Sequence, residues 1–102
     1  MLDVVAHVEI ELALLPSARQ KRSGYRPNHK HPRTGEFFLG EVTFENGFID
    51  PGEVARAQVR ILASAGDLDS LLQFGSWSVW EATAHVAQVQ VTRVIGRAPL
   101  RD

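Results

Sequence analysis

Apolar and polar side chains alternate with a period of two along most of this chain. In the opening segment Val4, Ala6, Val8, Ile10, Leu12 and Leu14 take one side, and His7, Glu9 and Glu11 take the other. Successive strand side chains point to opposite faces, so this pattern predicts a half-buried strand. Pro16-Ser17 ends it, and a basic loop runs to Gly24. Residues 25–31 predict a short strand with Pro27 at an edge or bulge, because proline has no N–H for a ladder. Pro32-Arg33-Thr34-Gly35 reads as a turn. Residues 36–45 follow as a strand, with Phe38, Val42 and Phe44 against Phe37, Leu39 and Thr43.

Asn46-Gly47 and Asp50-Pro51-Gly52 are turn signals: the first tolerates positive φ, and the second presets a proline before a free glycine. Beyond them Ala55, Ala57, Val59, Ile61 and Ala63 alternate with Arg56, Gln58 and Arg60. Residues 64–72 read as a loop with at most one helical turn. In residues 75–81 Trp77 and Val79 share one face, leaving Trp80 outward with Ser76 and Ser78. The last strand, residues 85–95, sets Ala87, Val89, Val91 and Ile95 against Gln88, Gln90 and Thr92. Six short strands without a convincing amphipathic helix predict an all-β sandwich or small barrel. Closure into a six-stranded barrel is favoured because it leaves no long edge. The expected domain spans residues 1–97, with a polar tail at 98–102.

The chain has 102 residues, which provides one core but little room for a deep substrate cleft as well. It has no cysteine, so disulfides, thiolate metal sites and a cysteine nucleophile are excluded, which fits a reducing compartment. No stretch of the sequence has the apolar length of a membrane span or the pattern of a secretory leader, making a cytoplasmic domain the expectation. The net charge of −1 conceals an asymmetry. Residues 12–35 hold Arg19, Lys21, Arg22, Arg26, Lys30 and Arg33 with no acid, whereas the rest of the chain carries all twelve acidic residues. Such a segment suits an anionic partner.

Within it stands Gly24-Tyr25-Arg26-Pro27, followed by Asp50-Pro51-Gly52-Glu53 before a strand and by a valine-rich terminal hairpin. Over nearly the whole chain this arrangement resembles the C-terminal β-barrel, the third domain, of elongation factor Tu. The resemblance implies a barrel of that type, a link to translation, and a hairpin glutamate corresponding to Glu81. It also implies contact with the acceptor and T arms of tRNA, but the residues for that contact depart from the family. Residues 17–22 stand where the family has a Gly-Gly-Arg-His-Thr-Pro-type run, and Ala82-Thr83-Ala84 replaces its Gly-Gly-Arg. No phosphate-binding G-x-x-x-x-G-K-[ST] run is present, so nucleotide hydrolysis is not expected.

The expected function is therefore a non-catalytic binding module without cofactor, metal or membrane. It would engage a protein partner through Trp80, Tyr25 and Arg26; regulatory or immunity-type imitation of the factor is the form the resemblance suggests. The alternative is RNA or tRNA binding through Arg19, Lys21, Arg22, Arg26 and Lys30, with Tyr25 as a stacking face. His29 and His31 share a strand face, but a metal would need His7 or His85 to join them, and surface placement is the simpler expectation. Asp67 and Asp69 read as turn or capping residues, and no nucleophile elbow is present.

Overall fold

Each half-buried strand of a single sheet needs another surface to cover its apolar face, and here the sheet closes on itself. A computed structural model describes residues 3–100. The strands are β1 (Asp3–Leu14), β2 (Lys21–Arg22), β3 (Asn28–Lys30), β4 (Phe37–Phe44), β5 (Phe48–Ile49), β6 (Val54–Ser64), β7 (Ser76–Glu81) and β8 (Ala84–Pro99). Six of them form a closed antiparallel barrel in the order β1-β6-β4-β3-β7-β8, and β2 with β5 makes a separate two-stranded ribbon. The predicted inward residues of β1, from Val4 to Leu14, are all buried, and so are Val42, Phe44, Val59, Ile61, Trp77 and Val79. The all-β barrel follows from that alternation.

Three local expectations need correction. Residues 64–72 do not form a loop, because Ala65–Phe74 is a helix, α1. Ser64 caps its start by accepting from the Asp67 N–H, Gly75 ends it at φ 74°, and Leu68 and Leu71 are buried. The short i, i+3 apolar pair is enough because it plugs an existing core and need not support the helix alone. The last strand is also longer than residues 85–95. Its pairing with β1 skips Ile95 and then Thr92, and each one-residue bulge resets the alternation. Ile95, predicted inward, is 45% exposed as a result. Finally, Ala98 and Pro99 of the predicted tail extend β8 opposite Val5 and Val4, while Arg101 and Asp102 lie outside the described residues.

The predicted turns form as expected, with Gly47 at φ 86° and Gly52 at φ 83°. Among the described residues no helix is long and apolar enough to cross a membrane.

Candidate protein-interaction surface

Gly24-Tyr25-Arg26-Pro27 runs antiparallel to β4, with Tyr25 bridged to Val42. Tyr25 is half-buried and its hydroxyl donates to Glu81 Oε2. Lys21 Nζ lies 2.7 Å from the same carboxylate and 5.2 Å from the tyrosine ring centroid. Burial, then the Glu81 hydrogen bond and charge, push the Tyr25 phenol up. Burial also pushes the Glu81 carboxyl up, but the hydrogen bonds from Lys21 and Tyr25 and the lysine charge outweigh it and hold it below the ordinary range. Tyr25 therefore clasps the hairpin of β7 and β8, and its ring is covered by Lys21. Arg26 is exposed, and its guanidinium meets Glu41 of β4 at 2.6 Å.

Pro27 interrupts the ladder between β3 and β4. Tyr25↔Val42 and His29↔Phe38 share one register, which sets Pro27 opposite Gly40. Without an N–H, proline cannot donate to the Gly40 carbonyl. His29 supplies that bond instead: its Nε2–H donates to Gly40 O at 3.1 Å, and its Nδ1 accepts from Trp77 Nε1–H at 3.0 Å. The ring is fully buried and stacks on Phe38 at a centroid distance of 5.2 Å. A Cβ at Gly40 would stand 2.7 Å from His29 Nε2, so the ring needs a glycine there.

Burial holds the His29 pKa down at about 4, only partly offset by the hydrogen bond to Gly40. Surface placement of His29 and His31 is thus corrected: both point inward, because their strand face is the core face. His31 Nδ1 accepts the Arg33 and Thr34 N–H groups, leaving its buried Nε2 without a partner. His7 and His85 face outward, and among the described residues no group of three His, Cys, Asp or Glu converges.

Trp80 faces outward as predicted, because the β7–β8 irregularity skips Val86 of β8 and leaves the alternation of β7 intact. It is only half-exposed. Its ring stacks on His85 at 5.2 Å, Lys30 Nζ sits 5.0 Å from the ring centroid, and its indole N–H donates to Ser78 Oγ. The basic segment does not form one free patch: Lys21, Arg26 and Lys30 are engaged as described, and Arg19, Arg22 and Arg33 are exposed. Asp69 pairs with Arg97 of β8, and Asp67 lies in the first turn of α1.

The feature that sequence reading does not assemble lies on the outer wall. Leu39 of β4 pairs with Leu62 of β6, Leu62 with Val5 of β1, and Val5 with Ala98 of β8. All four are in the outward phase of their strands and make one lateral apolar row. Leu39 is 69% exposed; Phe37, at 54%, lines a hollow on one side of it, and Leu100, at 43%, lines a hollow on the other. Leu39 and Leu62 form a ridge between two hollows. One, of about 390 Å³, is rimmed by Arg26, Glu41 and Arg60; the other, of about 230 Å³, is rimmed by Asp3, Glu36 and Asp67. Arg26 thus belongs to this surface, and Asn28, which also lines the first hollow, pairs with Trp80. The alternation of the sequence puts Leu39 and Phe37 on the face opposite the core but does not bring them beside Leu62 or Val5.

No known family model matches the chain, and no curated protein sequence matches it.

Proposed function

We propose that this chain is a non-catalytic protein-binding module, a barrel of the elongation factor Tu C-terminal type that docks a protein on the outer face of β4, β6 and β1. The apolar row Leu39–Leu62–Val5–Ala98 carries this reading. Exposed apolar side chains are ordinary one at a time, but a contiguous group with a polar rim is the anatomy of an interface. Fully burying a leucine is worth about 1.5–3 kcal/mol, so Leu39 is the natural anchor. Three groups suited to proton transfer are already occupied. Both ring nitrogens of His29 are bonded, the Tyr25 hydroxyl is held by Glu81, and Asp69 is paired. The resemblance makes proteins that dock on elongation factor Tu the first partners to try.

The test is capture of such partners by immobilised protein, with circular dichroism as the control for folding. Leu39→Asp abolishes capture, and Trp80→Ala weakens it where the contact extends past Asn28. Capture that survives Leu39→Asp refutes the reading. RNA binding draws its support from the exposed Arg19, Arg22 and Arg33. Neutralising about three phosphates gives a tRNA affinity that falls by no more than about fiftyfold between about 50 and 200 mM salt. A steeper fall favours the RNA alternative, with more of the basic segment at work.

A further inference from the structure

We propose that the occupant of the Leu39–Leu62 face is a second copy of this chain, related by a two-fold axis that lies in the contact plane along the apolar row. This rests on reading that face as a docking surface and goes on to name its partner. The argument is charge complementarity about the ridge. On one side Arg26 and Arg60 flank a single acid, Glu41; on the other Asp3, Glu36 and Asp67 line the hollow with no Lys or Arg among its lining residues. A two-fold axis along the row exchanges the two sides, so the cationic rim of each copy lies over the acidic rim of the other, twice.

The apolar residues are also self-complementary. The ridge of Leu39 and Leu62 stands between two hollows of its own surface, so a small offset about the axis seats each ridge beside the other in the partner's hollow. An interface of this kind is isologous, and its two halves are satisfied by the same set of residues. A foreign partner would have to match a cationic and an acidic rim separated by one leucine ridge; a second copy does so by symmetry. Trp80 lies on β7, outside the row, and stays available to other molecules.

Sedimentation equilibrium over the micromolar range tests the assignment. The wild-type protein is expected to move from monomer to dimer, and more weakly at high salt because the rims are charged. Leu39→Asp weakens association by roughly thirtyfold, as loss of a central anchor does. Arg60→Glu and Glu36→Arg each set like charges against each other across the interface and weaken self-association by about tenfold or more. Mixing these two variants restores association, because each then meets an opposite charge at both rims.

That rescue also shows that both variants are folded. A wild-type protein that stays monomeric at every concentration overturns the second-copy assignment, and the partner-capture experiment then decides the docking reading separately. A dimer that survives Leu39→Asp, or single variants that fail to rescue each other, likewise overturns it.

Discussion

Acidification from pH 7 towards 4 should unfasten the barrel through one residue, His29. The ring is neutral in the fold: Nδ1 accepts from Trp77, and a proton placed there would abolish that bond while leaving a charge in the core. Its pKa is about 4, against 6.5 in an exposed histidine. The unfolded chain therefore binds a proton before the folded one does. The contribution of neutral His29 is complete above about pH 6.5 and declines as pH falls, until it is lost by about pH 4. Each pH unit between those two values is worth about 1.36 kcal/mol, which gives roughly 3 kcal/mol over the window, with about 2 kcal/mol gone by pH 5. This is a large share of the roughly 5–15 kcal/mol typical of a domain.

Urea unfolding followed by tryptophan fluorescence at several pH values measures it. His29→Gln removes the titration, so its stability should be lower at pH 7 but should change less between pH 6.5 and 4.5. The carboxylates of Glu81 and Glu9, both held below the usual 4.5, begin to lose their contributions only as pH falls below that value, so the comparison between pH 6.5 and 4.5 reads His29. Equal slopes in wild type and His29→Gln, or an imidazole NMR titration of His29 near 6.5 in the folded protein, refute the reasoning.

Four other outcomes follow from the same structure. Gly40→Ala forces a methyl to within 2.7 Å of His29 Nε2 and should cost about 1–3 kcal/mol in urea unfolding, with a shifted indole N–H resonance for Trp77. Ala82 holds φ 52° in the β7–β8 turn, so Ala82→Gly should raise stability by about 1 kcal/mol, read as a higher melting temperature. Leu68→Ala, which empties the contact between α1 and the core, should cost about 2–5 kcal/mol by the same unfolding assay. Glu9→Gln should leave the urea midpoint almost unchanged, since the Glu9–Arg93 pair is solvent-exposed; a clear loss on denaturation would contradict the surface assignment.

The strands that sequence reading locates most directly are those whose alternation is uninterrupted, β1 and β6, because one residue of slip would expose the whole apolar set. Where that alternation is reset the reading fails: skipping Ile95 and Thr92 lengthens β8 and turns Ile95 outward. The helix escapes notice although its signals are present, Ser64 before it and Gly75 after it, because Leu68 and Leu71 make too short an apolar repeat to stand out locally. Burial of His29 depends on Trp77, 48 residues away, and on the carbonyl that Pro27 leaves free, and neither is a local property. The outer row is similar. Val5, Leu39 and Leu62 each look like isolated apolar residues in the wrong phase, and only strand register sets them side by side.

The seam between β1 and β8 joins the two ends of the described chain, with the Leu100 N–H bonded to the Asp3 carbonyl. During synthesis β1 is made first and its partner β8 last, so β1 keeps an open edge until residues 84–99 have left the ribosome. Until then the barrel is an unclosed sheet, with pairing groups on β1 and β7 free to recruit a stranger's strand. A barrel that is guarded against strand exchange once closed has its greatest need of a chaperone in the interval before β8 pairs with β1.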